Sequence, residues 1–367
     1  MKTIRRYWGS EYCDLIARWI NDCKEGPAGA TSNVDALANL LRSNIALAGL
    51  GFNMTTAVIQ LLGITQTVSR IGGGWCLRGV SEYMRMGPRK AHEWVTGKSA
   101  FMADRARTRF REVAEVQRAI TASGFERFRE KAIQLAYTPI VITQLMVDTP
   151  SWIGAYQKAL AEGNTEERAI ALADRAVSDA QGSGRVQDLS EFERGNAWTK
   201  IFTVFYSSLN AILNLLAMSS AMKGRKGLAK DYLLLCILQP TMEALVKESL
   251  GALGSGGDDD DRWDKLPVTV FQSVASLQLG LFVGLREFSS LVGGSTYGGP
   301  GGMRKVQDIY NAVSAVSRGE FDDRSTRALI SVLGSLTGAP SAVINRAVKA
   351  ANDDKNDPNI IGAVFGY

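Results

Sequence analysis

The sequence contains very little histidine: among its 367 residues, His92 is the only one. A Ser-His-Asp triad, a Cys-His pair with a second histidine and a multi-histidine zinc site therefore cannot form unless His92 serves them. Residues 92–99 end in the Gly-Lys-Ser of a phosphate-binding loop, but His92 stands where that loop has its first glycine, and no strand is predicted before it. The aspartates at 258–261 lack the alternating ligands and the closing glutamate of a calcium loop. We therefore predict no catalytic, cofactor-binding or metal-binding residue, and no enzyme activity.

Cysteine is also scarce, and no two cysteines form a C-x-x-C pair. The spacing matches no metal site, and a disulfide framework is not expected in so long a chain. We expect reduced thiols at all four cysteines, Cys13, Cys23, Cys76 and Cys236.

The N-terminal arm, residues 1–33, lacks the apolar run of roughly 7–15 residues that defines a signal peptide. Trp8, Tyr12 and Trp19 instead follow a short basic segment and suit one side of an amphipathic helix. Such a helix either packs on its own protein or lies on a membrane surface. The sequence favours the first of these two interpretations.

Strand-like alternation is scarce, whereas long segments are rich in Ala, Leu, Arg and Glu. This pattern predicts an all-α protein, a multi-helix bundle with long apolar helices and glycine-rich hinges at residues 72–74, 254–257 and 293–302. The expected organisation is an amphipathic arm at 1–33, a main helical module at 34–257, an acidic linker at 258–265 and a C-terminal helical segment at 266–367.

Caps and helix breakers give the expected bounds of the individual helices. Thr149 and Pro150 suit an N-cap and a first helical residue, so a new helix is predicted to begin at Ser151. Asn164 and Glu167 have the spacing of a capping box. The predicted helices are 34–71, 99–123, 125–147 with a kink at Pro139, 151–161, 164–180, 190–222, 226–253 with a kink at Pro240, and 266–292.

Positive charge is concentrated in residues 76–131, which hold 13 Lys or Arg and seven Asp or Glu. Such a segment suits the phosphates of DNA or of lipid headgroups. Because acids are interleaved, a solvated helix face is the alternative, and the sequence slightly favours it. The candidate phosphate contacts are Arg85, Arg89, Lys90, Arg105, Arg107, Arg109 and Arg111.

Three stretches carry no charged residue at all: 43–69, 201–222 and 266–285. Each is as long as the roughly 20 helical residues that cross a bilayer. Asn, Gln, Ser and Thr occur within them, however, and side-chain amides are costly in lipid without a partner. A buried helix of a large all-α core is one interpretation, and a helix that faces a membrane or a pore is the other. The candidate oligomer or membrane face comprises Phe202, Phe205, Tyr206, Leu209, Asn210, Leu213 and Asn214.

Several segments together resemble a module found in phage proteins. They are 150–156 (PSWIGAY), 159–163 (ALAEG), 169–177 (AIALADRAV), 181–184 (QGSG) and 203–210 (TVFYSSLN), with weaker similarity at 51–57 and 101–105. Over roughly residues 34–253 the chain resembles the C-terminal helical module of very large tailed-phage proteins. These are the polyvalent proteins and the internal virion, or ejection, proteins of short-tailed phages.

The resemblance implies a component carried in the virion interior and delivered into the host cell envelope, at the inner membrane or in the periplasm. There it would oligomerise and help to form a conduit for the genome. The implied partners are further copies of the chain, other virion proteins, host membrane lipids and, without sequence specificity, double-stranded DNA. Family members often carry enzymatic domains ahead of the module, and no such activity is carried over to this chain. The alternatives are a portal, tail or core virion protein without membrane activity and, less favoured, a fragment of an enzyme.

Overall fold

The structure is a computed structural model, and it describes residues 2–25, 44, 53–108, 126–182, 189–190, 194, 206–254, 264–281, 312, 322–337, 339, 341, 344–345 and 348. Every regular element in these ranges is helical, which confirms the predicted all-α class. The described α-helices are α1 (Lys2–Trp8), α2 (Ser10–Glu25), α3 (Met54–Gln60), α4 (Ile64–Ile71), α5 (Gly73–Met86), α6 (Pro88–Lys98), α7 (Ala100–Thr108), α8 (Glu126–Ala161), α9 (Glu166–Gln181), α10 (Tyr206–Tyr232), α11 (Gln239–Gly254), α12 (Leu266–Gly280) and α13 (Asp323–Thr337).

The continuous helix predicted over 34–71 is interrupted at Asn53. The Asn53 side chain accepts a hydrogen bond from the backbone N–H of Thr56 at 3.1 Å, so α3 begins at Met54. This bond satisfies one of the amides that have no partner within the helix. A short 3-10 turn, Leu61–Gly63, joins α3 to α4. Gly72 then ends α4 as predicted, with a φ of 93° that suits glycine.

Helix α8 runs through both Pro139 and Pro150, so the prediction of a new helix at Ser151 is wrong. Proline removes one backbone hydrogen bond and crowds the preceding turn. The Ser151 hydroxyl donates to the Val147 carbonyl at 2.6 Å, which supplies a replacement contact beside Pro150. Trp152 and Ile153 follow immediately and are completely buried. Tertiary packing of this segment therefore outweighs the local helix-start signal.

The N-cap of α9 is Thr165, one residue later than the predicted Asn164. The Thr165 hydroxyl accepts from the Arg168 N–H at 3.4 Å, while the Asn164 side chain donates back to the Ala159 carbonyl at 2.9 Å. The packed face of this helix is a stripe of small residues. Its buried members are Ala169, Ala173, Ala176, Val177 and Ala180.

Gly224 divides the long α10 into two helical segments, because its φ of 66° and ψ of −171° are not helical. The first segment therefore ends close to the predicted Met222. The second segment passes into a π-helical turn, Leu233–Leu238, immediately before α11. Pro240 lies at the start of α11, and a wider turn before a proline accommodates the missing N–H.

Two apolar cores organise the described helices. The first lies where α4 to α9 meet, and Trp152, Ile153, Val95 and Met102 are its largest fully buried side chains. The second joins α10, the π turn and the end of α12 through Leu209, Ile212, Leu215, Leu235, Cys236 and Leu281. Within the described ranges, no helix is both long and apolar enough to cross a membrane.

The four cysteines differ sharply in accessibility, and none forms a disulfide. Cys23 is exposed, whereas Cys13, Cys76 and Cys236 are buried. Burial raises the pKa of the Cys236 thiol to about 11 and also raises the pKa of Cys76, because a thiolate is poorly solvated there.

We therefore expect a thiol reagent such as Ellman's reagent to modify one cysteine rapidly in the native protein at pH 8. All four cysteines should react after denaturation, because unfolding opens the three buried thiols to the reagent. A Cys23→Ser variant should lose the fast phase. Rapid native reaction of two or more thiols would contradict the described packing.

Candidate functional site

A buried ion pair fixes the contact between α7 and α8. The Arg105 Nε donates to the Asp148 Oδ2 at 2.6 Å, and the exposed fractions of the two side chains are only 7% and 0%. The Arg105 guanidinium also donates to the backbone carbonyl of Gly182, just beyond the end of α9. One arginine thus ties three helices together in the first core.

A chain of hydrogen bonds from uncharged amide and hydroxyl side chains extends this ion pair to α4. The Gln144 amide donates to the Asp148 Oδ1 at 3.0 Å and to the Gln181 Oε1 at 3.3 Å. Gln181 in turn donates to the Thr67 hydroxyl at 3.3 Å, and Thr67 and Ser151 are joined by a 2.6 Å hydroxyl contact. We call Arg105, Gln144, Asp148, Gln181, Thr67 and Ser151 the buried polar network.

The buried polar network locates Arg105 inside the protein rather than on the surface that phosphates can reach. Its donors are directed at Asp148 and at the carbonyls of Gln181 and Gly182. A buried arginine without such acceptors would be costly, which accounts for the convergence of carboxylate and carbonyl groups. The prediction that Arg105 contacts phosphate is therefore wrong, because this side chain belongs to the protein core.

A second polar contact lies inside the aromatic cluster of Trp94, Trp152 and Tyr156. The Trp152 and Tyr156 rings stack with centroids 5.0 Å apart, and Trp94 meets both edge-on. The Trp152 indole N–H donates to the Asp174 Oδ1 at 2.7 Å, and the same oxygen accepts from the Ser99 hydroxyl at 2.6 Å. Ser99 also caps α7, since its hydroxyl accepts from the Met102 N–H at 3.0 Å.

Lys98 covers the exposed edge of this aromatic cluster. Its ammonium lies 5.4 Å from the Trp94 ring centroid and 5.7 Å from that of Tyr156, within cation-π range. It also donates to Glu166, and this hydrogen bond lowers the pKa of the Glu166 carboxyl. Burial raises the pKa of the Tyr156 hydroxyl. The two aromatic residues of segment 150–156 that carry the phage resemblance therefore have a packing role here.

Among the described residues, the ring of the single histidine has one recorded polar contact. The His92 Nδ1 lies 3.5 Å from the Thr149 hydroxyl at the limit of a hydrogen bond. Within the described residues, no hydrogen bond joins His92 or Thr149 to a carboxylate or a thiol, as a nucleophile-base pair would require.

Three of the candidate phosphate contacts lie together near the junction of α5 and α6, where Arg85, Arg89 and Lys90 are all exposed. Arg85 pairs with Glu82, and Arg89 pairs with Glu93, both at 2.9 Å within their own helices. Arg107 lies in α7, but its side chain is not among those that the structure describes. Arg109 and Arg111 lie outside the described residues.

The candidate oligomer or membrane face is only partly described. Leu209 is buried in the second core, Leu213 packs against that core, Asn210 is half-buried, and Asn214 is exposed. Tyr206 is helical without a described side chain, and Phe202 and Phe205 lie outside the described residues. The apolar stripe is thus an intramolecular contact at Leu209 and Leu213, with Asn214 on the outer side of the helix.

Sequence reasoning missed a second basic surface, which surrounds the break at Gly224. Arg225, Lys226 and Lys230 are all exposed there, next to the exposed Met222. The local signal is visible in residues 223–230, KGRKGLAK, which contain four basic residues and no acid. The charge count over residues 76–131 could not reveal this second surface, because that segment ends about 90 residues before Lys223.

No group of three or more potential metal ligands occurs within the part of the chain that the structure describes. The buried polar network and the Trp152–Asp174–Ser99 contacts are directed at internal partners and suit structural support. The surfaces that remain available to a partner are the basic ones and several rows of exposed apolar side chains. Comparisons with family models, with curated proteins and with solved structures give no match for this chain.

Proposed function

We propose that this chain is a phage internal virion protein that oligomerises and contacts the host envelope, where it helps to form a conduit for genome delivery. The proposal gives the chain no catalytic role. It places the protein in the virion interior before infection and at the inner membrane or in the periplasm afterwards. Its partners would be further copies, other virion proteins, membrane lipids and double-stranded DNA.

Rows of exposed apolar side chains carry this proposal. On α8, Leu135, Ile142 and Met146 are exposed at helical spacing, while neighbouring residues of the same helix are buried. A similar row is formed by Leu238 at the end of the π turn and by Met242 and Leu245 in α11. Contiguous exposed apolar surface is typical of protein or membrane contacts. Helices of this kind can exchange solvent for a neighbouring subunit or for lipid without unfolding.

The basic surface of α5 and α6 supports the contact with phosphate in the same proposal. Arg85, Arg89 and Lys90 lie on the outside of the first core. Glu82 and Glu93 pair with the two arginines, so these five side chains together carry a net charge of +1. Such a surface favours weak, sequence-independent attraction to DNA or headgroups, as long as the salt concentration is low.

The alternative is a structural virion protein of portal, tail or core type that never meets a membrane. The exposed rows would then contact other virion subunits only. Flotation on liposomes separates the two functions, because a purely structural protein stays in the soluble fraction.

We expect the full chain to float with vesicles that contain phosphatidylethanolamine and phosphatidylglycerol. The triple variant Leu135→Ser, Ile142→Ser, Met146→Ser should partition on the order of tenfold less, because three exposed apolar side chains no longer enter the bilayer. Circular dichroism of the variant should match that of the native protein, since these positions face solvent. A native protein that remains entirely soluble in the flotation assay would favour the structural alternative.

A further inference from the structure

The break in α10 lies among exposed residues that we call the basic knuckle: Met222, Arg225, Lys226, Lys230 and Leu233. Gly224 makes the break possible, because its φ of 66° with a ψ of −171° is accessible essentially only to glycine. Gly227 keeps it tight: a Cβ added there would lie 2.2 Å from the Lys223 Cβ. Two glycines three residues apart therefore define the shape of this break.

Lys223 anchors the basic knuckle to the first core. Its ammonium donates to the Ser69 carbonyl at 2.6 Å and to the Asp231 Oδ2 at 2.6 Å. Asp231 is buried, and it lies on the segment after the break, whereas Lys223 precedes it. The pair consequently joins both sides of the break to α4 and holds its geometry before any partner arrives.

This anchoring also determines the charge that the basic knuckle presents. Asp231 neutralises Lys223, and within the described ranges no ion pair is recorded for Arg225, Lys226 or Lys230. The preceding uncharged stretch, 201–222, contributes no acid. Three exposed positive charges therefore follow the break within six residues.

Apolar side chains accompany these charges. Met222 and Leu233 have exposed fractions of 77% and 60%. Lys226, Lys230 and Leu233 follow one another at spacings of four and three residues and share one helix face. The combination of basic and apolar side chains on an exposed helix end is the composition of a membrane-surface contact.

We propose that the basic knuckle docks on anionic phospholipid, with the three basic residues at the headgroup phosphates and with Met222 and Leu233 at the edge of the acyl region. This inference rests on the proposed membrane contact and adds to the apolar row of α8 a second site, together with the class of lipid that it binds. Anionic lipid is favoured over DNA because a DNA backbone offers phosphates but nothing to bury two exposed apolar side chains.

The test measures binding of the full chain to vesicles of phosphatidylcholine with and without phosphatidylglycerol, and to a duplex DNA. The variant Arg225→Gln, Lys226→Gln, Lys230→Gln should bind anionic vesicles on the order of 100-fold more weakly. The matched control removes three exposed positive charges elsewhere, as Arg168→Gln, Lys265→Gln, Arg327→Gln, and should bind nearly as well as the native chain. A second variant, Met222→Ser, Leu233→Ser, should lose about tenfold on vesicles and nothing on DNA.

The possible outcomes separate this inference from the proposed function. If the native chain fails to bind any vesicle, both the membrane contact and the basic knuckle are rejected. If the native chain binds anionic vesicles and the knuckle variant binds as well as the matched control, the membrane contact stands and this location is wrong. If the knuckle variant loses DNA binding and keeps vesicle binding, the surface serves nucleic acid and the lipid assignment is overturned. Unchanged circular dichroism of all variants shows that the differences arise at the surface.

Discussion

Replacement of Arg105 by methionine should lower the free energy of unfolding by about 3–5 kcal/mol. The substitution leaves the Asp148 carboxylate buried without its ionic partner, and it removes the donors that reach the carbonyls at the end of α9. Gln144 remains beside Asp148 at 3.0 Å, but one amide cannot balance a buried charge. Urea denaturation followed by circular dichroism measures the loss.

Two further variants make this result specific. Arg89→Met removes an arginine that is also ion-paired, with Glu93, but on a fully solvated helix face. It should leave the unfolding midpoint nearly unchanged, because exposed ion pairs contribute little. The double variant Arg105→Met, Asp148→Leu should recover much of the lost stability, since an apolar pair removes the uncompensated charge. An Arg105→Met protein as stable as the native one would show that the ion pair does not hold α7 to α8.

This ion pair also shows where reasoning from sequence reached its limit. Arg105 is one of many arginines in a basic segment, and its partner lies 43 residues away along the chain. Charge counts therefore grouped it with surface residues such as Arg85 and Arg89. Only the packing of α7 between α8 and the end of α9 distinguishes it, and no local pattern encodes that arrangement.

Features with a local cause were predicted well. Gly72 ends α4 as predicted, because the backbone conformation that glycine permits acts within a few residues. Pro150 shows the opposite case. A local helix-start signal was overridden because Trp152 and Ile153 bury completely when α8 continues.

The polar residues of the uncharged stretch 43–69 have a partial explanation in the described structure. Thr67 bonds to Ser151 and Gln181, and Thr65 donates to the Leu62 carbonyl at 2.8 Å and to Gln239 at the same distance. These side chains are buried among helices that supply their partners. Charged residues would be costly at such positions, whereas hydroxyl and amide groups can be satisfied there. The semi-polar composition of α4 therefore follows from its interior location.

The closest backbone approach recorded among the described glycines lies between α5 and α8, at Gly79 and Gly154. A Cβ added at Gly79 would lie 2.2 Å from the Pro150 carbonyl oxygen and 2.7 Å from the Gly154 nitrogen. A Cβ added at Gly154 would lie 2.4 Å from the Trp75 carbonyl oxygen. The obstructing atoms are backbone, so a rotamer change cannot relieve the contact. Each glycine thus permits the other helix to approach, and the two positions act as one crossing point.

Gly79→Ala should therefore destabilise the protein by about 3 kcal/mol or more, even though alanine favours helix formation by roughly 1 kcal/mol over glycine. The matched control is Gly97→Ala in α6, where an added Cβ meets no atom within 4 Å. That variant should be as stable as the native protein or slightly more stable, because only the helix preference changes. If thermal unfolding shows a loss of stability for Gly79→Ala and a small gain for Gly97→Ala, then α5 and α8 are in contact at Gly79. Equal small effects at both positions would contradict the crossing, and with it the position of α5 that places Arg85 on the outer surface.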